Sequence, residues 1–132
     1  MAYYKDLREL VAALDERGLL YRIKRQINKD TELMPLVRWQ FRGLPEGERK
    51  AFLFENVVDT TGRSYAIPVL VGAFGASRAV YATGLQCSKE EIYEKLVEGP
   101  RRLIPPTIVD RSKAPVKEEV HMGKGLLEHG GL

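Results

Sequence analysis

The sequence predicts an α+β fold: a mixed β-sheet covered by helices, continued by an extended C-terminal connector. Three observations carry that expectation. The 132 residues are 44% hydrophobic and 30% charged, enough apolar material to enclose a core and too much for a disordered chain. Stretches with apolar residues three and four apart are interleaved with stretches that alternate or run apolar throughout. After residue 99 the texture changes: Pro100, Pro105, Pro106 and Pro115 fall within sixteen residues, and four glycines fall in residues 121–132. The expected organisation is therefore a mixed domain over residues 1–99 and a Pro/Gly-rich connector over residues 100–132.

The first element is a helix over residues 6–17. Leu7, Leu10, Val11 and Leu14 mark one face, Asp6 is the N-cap, Glu9 completes a reciprocal cap, and Gly18 suits a left-handed stop. Alternation then predicts a strand, with Leu19, Tyr21 and Ile23 on one face. Asn28 or Asp30 caps a second helix that takes in Leu33, Leu36, Val37 and Phe41, with Pro35 in its first turn and Gly43 at its end. Trp39 and Phe41 read as core or interface residues.

Residues 51–58 form one apolar run, expected as a central strand buried on both faces. A turn around Gly62 leads to a second buried strand, with Pro68 at an edge, a strand start or a bulge. Residues 77–84 form a short helix stopped by Gly84. Ser88 and Glu91 form a capping box for another helix, with Ile92, Leu96 and Val97 on its buried face and Gly99-Pro100 as its stop. Residues 114–120 read as a late strand, with Val116, Glu118 and Val120 on one side.

The charge balance, 21 basic against 18 acidic residues for a net +3, concentrates no basic stripe and predicts no nucleic-acid partner. No apolar run approaches the ~20 residues that span a bilayer, and residues 1–10 lack the core of a signal peptide. Cys87 is the only cysteine, which excludes an internal disulfide and suits a reducing, cytoplasmic setting. It reads as a small half-buried residue before a helix cap rather than a reactive thiol.

Candidate chemistry is sparse. His121 and His129 stand eight residues apart beside Glu128, without a spacing that would align them on a metal. The pairs Glu90-Glu91 and Glu118-Glu119 sit in polar settings that would not raise a carboxyl toward general-acid work. The one motif of interest is Gly72, Phe74, Gly75, Ser77 and Arg78, at a strand-to-helix junction. Backbone amides there could cradle an anion, with Arg78 assisting. The spacing fits neither G-x-G-x-x-G nor a P-loop. The alternative is a tight turn in which the glycines supply backbone freedom and Ser77 caps the helix, or an interface.

Several segments, in order, resemble the start of the UbiD family of prenylated-FMN-dependent (de)carboxylases. Asp6-Leu7-Arg8-Glu9-Leu10 with Gly18 and Leu20-Tyr21-Arg22-Ile23 is similar to the family's opening helix and strand. Asp30-Thr31-Glu32-Leu33 resembles its D-x-E-(aliphatic) helix start, and Phe52-Leu53-Phe54-Glu55-Asn56-Val57 its L-F-E-N-V strand. Pro68 through Arg78, with Ala82-Thr83-Gly84, resembles its P-V-L-x-G-x-F-G-S-R block, and Ala114-Pro115-Val116-Lys117-Glu118 its A-P-V-Q-E connector. Ala76 departs from the pattern, giving F-G-A-S-R.

The resemblance implies an N-terminal domain or small subunit that docks a separate split-barrel flavin-binding domain. In the whole enzyme it implies prenylated FMN with a divalent metal (Mn) and K, homo-oligomer formation, and reversible decarboxylation of aromatic or α,β-unsaturated acids. No residue of this chain matches the family's catalytic, cofactor-binding or metal motifs. The expectation is thus an inactive chain with no cofactor of its own, joined to a flavin-binding catalytic domain or subunit. A stand-alone binding or regulatory module of the same ancestry is the alternative.

Overall fold

A computed structural model describes residues 3–114, 116 and 122–124. The chain divides into two compact units, Met1–Arg101 and Arg102–Leu132, described separately below. No helix among the described residues is long and apolar enough to cross a membrane.

In the first unit, α1 spans Leu7–Glu16. The Asp6 carboxylate accepts from the Arg8 and Glu9 amides at 2.8 and 3.2 Å, satisfying donors that the first turn leaves orphaned. Glu9 does turn back, but onto the Lys5 amide at 2.7 Å, one residue earlier than a capping box on Asp6 requires. Gly18 ends the helix at φ +66°, a conformation in which a side chain is disfavoured.

Strands β1 (Leu20–Ile23), β2 (Ile27–Asn28), β3 (Ala51–Phe54), β4 (Val57–Val58), β5 (Ser64–Tyr65) and β6 (Val69–Val71) form two small sheets. Their orders are β1-β3-β6 and β2-β4-β5, each with a parallel and an antiparallel pairing. The single strand expected over residues 51–58 is therefore two strands, broken at Glu55 and Asn56. Phe54 and Val57 explain the break: three residues apart, they would face opposite sides of an unbroken strand, yet both are buried in one cluster. The kink resets the phase, and bonds from the Glu55 amide to the Ile23 carbonyl and the Ile27 amide to the Asn56 carbonyl, both 3.0 Å, bridge it.

All four residues of β3 are buried, as a central strand requires. Ala51 and Leu53 join Leu20, Leu10, Leu14, Ala76 and Val80 on one face. Phe52 and Phe54 join Ile27, Leu33, Val37 and Val57 on the other. The second strand expected as buried, β6, is only half-buried because it lies at the sheet edge, with Pro68 just before its start.

Residues Lys29–Leu33 make a wide π-helical turn that runs into α2, Met34–Gly43. Pro35 has no N–H to offer the carbonyl four residues back, so the usual ladder cannot pass through this point. Asn28 caps the turn by accepting from the Asp30 and Thr31 amides at 2.9 and 3.2 Å. Glu32 returns to the Asn28 amide at 2.8 Å, four residues back, which matches the wider turn.

The inward stripe of α2 is Leu33, Val37 and Gln40, not Phe41. Gln40 takes the inner place because its side-chain amide donates to the Lys50 carbonyl and accepts from the Lys50 amide, both at 3.0 Å. It pairs with the entry to β3 as a neighbouring strand would. One residue further round the helix, Phe41 is turned outward.

Helix α3 spans Arg78–Leu85 and α4 spans Ile92–Glu98, followed by a 3-10 turn over Gly99–Arg101. Gly84 lies inside α3 rather than ending it; Gln86, at φ 54°, takes the left-handed stop. A Cβ at 84 would stand 3.1 Å from Phe74 Cε1, so the exposed Phe74 ring would have to shift by a few tenths of an ångström to admit one. The reciprocal Ser88–Glu91 bonds form at 2.8 and 3.3 Å, but they close the turn before α4. The helix itself starts at Ile92, with Glu91 at its cap position and no side-chain bond there. The buried face expected of α4 does not form: none of its residues is buried, and its main packing is against α3 and the turn that follows α4.

In the second unit, residues 102–110 run without regular structure to a 3-10 turn over Arg111–Lys113, capped by Asp110 through the Ser112 amide at 2.9 Å. Most of the strand expected over residues 114–120, and His121, Glu128 and His129, lie outside the described residues.

Candidate functional site

The glycine motif forms one face of a groove of about 480 Å³ between α3, α4 and the loop before β3. Gly72, at φ +78°, starts the turn, and its carbonyl accepts from the Gly75 and Ala76 amides at 3.3 and 3.1 Å. Ala76, the residue that departs from the family pattern, is buried under the turn in the α1 core. Ser77 caps α3 through the Val80 amide at 3.4 Å. Phe74 is left 59% exposed with its ring over Gly84.

The first turn of α3 already holds an anion. The Arg78 amide donates to the Glu46 carboxylate, a short contact across 32 residues. A carboxylate at a helix N-terminus satisfies an orphaned donor and complements the dipole. The Arg78 guanidinium donates to the Lys89 carbonyl at 3.1 Å, tying α3 to the turn before α4. Beside it, Arg49 donates to the Leu44 carbonyl at 3.0 Å and lies 5.3 Å from the Phe41 ring centre.

Elsewhere the titratable groups are arranged for structure. The Asp59 carboxylate accepts from the Thr61 hydroxyl (2.7 Å), the Tyr65 hydroxyl (2.9 Å) and the Thr61 and Arg63 amides (2.9 and 3.0 Å). Led by the Thr61 hydroxyl, these bonds hold Asp59 well below the carboxylate range. The Ser88 amide and hydroxyl likewise lower Glu91. Every carboxylate with a resolved shift is shifted downward, so none is poised as a general acid near neutrality.

Among the described residues no group of three or more His, Cys, Asp or Glu side chains could hold a metal ion. The described residues therefore do not fit the metal, and the Arg78 amide at the start of α3 already has the Glu46 carboxylate as its partner. Cys87 is half-buried, immediately before the Ser88 cap. The Asp59 knot escaped the sequence reading, although an Asp two residues before a Thr and four before an Arg in a glycine turn is an Asx-turn signal.

Comparison with known proteins decides the ancestry. The family model described as 3-octaprenyl-4-hydroxybenzoate carboxy-lyase N-terminal domain matches residues 11–99. The chain belongs to this UbiD N-terminal domain family. Proteins similar to it include a phenolic acid decarboxylase of Sedimentibacter hydroxybenzoicus, 29% identical over 120 residues, covering 89% of this chain and 24% of that protein. An uncharacterized protein of Archaeoglobus fulgidus is 34% identical over 95 residues, covering 71% of this chain and 18% of its own length.

Two structures of the UbiD-class enzyme HmfF from Pelotomaculum thermopropionicum align with the chain at a TM-score of 0.55. One is an evolved dimeric form in complex with prFMN, 26% identical, and the other a complex with FMN, 27% identical. Each alignment covers 85% of this chain and 23% or 22% of HmfF. The chain thus spans about a quarter of the length of the relatives it matches.

Proposed function

We propose that this chain is the N-terminal domain or small subunit of a UbiD-type carboxy-lyase that reversibly decarboxylates aromatic or α,β-unsaturated carboxylic acids. The family match over residues 11–99 carries the reading. Its role is to support and dock the part of the enzyme that binds prenylated FMN with manganese and potassium. When bound, that flavin would supply the decarboxylation chemistry; this chain supplies a folded support and the connector over residues 100–132. The downward shifts of Asp59 and Glu91, which leave neither poised as a general acid, support placing the chemistry elsewhere. The assembled enzyme is a cytoplasmic homo-oligomer, and the 72–78 turn belongs to an interface.

Co-purification tests the reading. Tagged chain, co-expressed with a flavin-binding UbiD polypeptide lacking its own N-terminal domain, should retain that polypeptide and its yellow cofactor through gel filtration. Elution of the two as separate species, with the flavin polypeptide stable alone, would argue against it.

A further inference from the structure

Two helices of the first unit leave apolar faces open, and their charges are opposite. On α2, Met34, Arg38, Phe41 and Arg42 follow one exposed stripe at helical spacing, with Trp39 (71% exposed) along its flank. The helix carries two arginines and no acid, and neither Arg38 nor Arg42 has a carboxylate within ion-pair distance among the described residues. On α4, Tyr93 (77% exposed), Leu96 and Val97 form an open apolar stripe beside Phe74. The α4 segment, residues 88–98, carries four glutamates against two lysines. Glu94 lies on α4 and Glu90 in the turn just before it, both exposed.

The two faces do not satisfy each other within one molecule. Helix α2 covers the Phe52–Phe54 face of the first sheet, whereas α4 is carried by α3, whose Val80 lies in the opposite core. Each would find its complement on another copy.

We propose that a second copy of this chain covers them: the basic, Trp39-bearing face of α2 docks head-to-tail on the acidic face of α4 and Phe74 of its neighbour. The apolar stripes supply the contact area, and the arginines set the register against Glu90 and Glu94. Helices of seven and ten residues are only about 10 and 15 Å long, so the contact lies at the weak, small end of protein interfaces. The contact is heterologous, because different surfaces meet, and it can therefore build a ring or a chain of copies. The inference deepens the homo-oligomer part of the proposed function. It is tested on this chain without flavin or substrate, so its failure leaves the catalytic reading untouched.

Trp39 is the only tryptophan and stands in the contact itself, so it reports docking directly. The 132-residue chain is titrated from micromolar to millimolar at low salt, following Trp39 emission and sedimentation. The expected result is a blue shift coincident with mass increase, weakened as salt screens the charges. Arg38→Glu with Arg42→Glu should weaken association at least about tenfold, as should Glu90→Lys with Glu94→Lys. Mixing the two variants, or combining all four substitutions in one chain, should restore it, which a folding defect could not do. A monomer at millimolar concentration, variants that associate like the parent, or a mixture that stays monomeric would overturn the proposal.

Discussion

Replacing Gln40 with methionine separates the hydrogen-bonding role of this side chain from its bulk. Gln40 is 5% exposed and clasps both backbone groups of Lys50 at 3.0 Å, fastening α2 to the start of the central strand. Methionine keeps the length and volume but can neither donate to the Lys50 carbonyl nor accept from its amide as the amide group does. Each bond contributes about 1 kcal/mol net, and the abandoned Lys50 groups are only half-buried, so water recovers part of the desolvation cost. The expected loss is about 2 kcal/mol. In a unit of about 100 residues that lowers the melting temperature by about 8–16 °C. Urea unfolding followed by circular dichroism measures it, with an unchanged m-value expected. Gln40→Glu retains one acceptor but sets a charge against the Lys50 carbonyl, and should lose at least as much. A Gln40→Met protein within about 0.5 kcal/mol of the parent would refute the clasp.

Other expectations follow from single contacts. Gly72→Ala places a side chain at φ +78° with its Cβ 3.4 Å from that of Ala76, and should cost about 1–3 kcal/mol in the same assay. Gly18→Ala, with open space around it, should cost less. Ser88→Ala removes the hydroxyl that accepts from the Glu91 amide in the turn before α4 and should cost about 1 kcal/mol, seen first as faster exchange of the Glu91 amide. The folded-state pKa of Asp59 is depressed below the ordinary value near 3.9. The stabilisation is therefore present above about pH 4 and is lost as pH falls through the lower folded value. An Asp59→Asn protein should show a shallower loss of stability between about pH 5 and pH 2 than the parent; equal slopes would count against the Asp59 bonds.

Much of the fold was legible because local signals agreed with their tertiary setting. Asp6, Asn28 and Ser77 each cap a helix as their side-chain chemistry favours, Ser88 and Glu91 bond reciprocally in the turn before α4, and Gly18 takes the left-handed residue it suits. What escaped the sequence depends on partners distant along the chain. The strand break at Glu55 and Asn56 is set by bonds to Ile23 and Ile27, which no local pattern announces. Gly84 looks like a stop until Phe74 is placed over it. Gln40 looks like a surface residue until Lys50 arrives beside it.

The 72–78 motif shows the same division. Its turn was readable from two glycines and a serine; that Glu46 occupies the start of α3 was not, since that carboxylate comes from 32 residues earlier. The open face of α4 misled the pattern because periodicity marks an apolar stripe without saying whether this unit or another molecule covers it.

The central claim, that this domain serves a flavin-dependent carboxy-lyase whose chemistry lies in its other part, is tested most directly by release of CO2. The chain alone, the flavin-binding part alone and the two joined are each supplied with prenylated FMN, manganese, potassium and a panel of aromatic and acrylic acids. The account predicts no turnover by the chain alone and substantial turnover only when both parts are joined. Turnover by these 132 residues alone, or activity of the flavin-binding part that is indifferent to their presence, would contradict it.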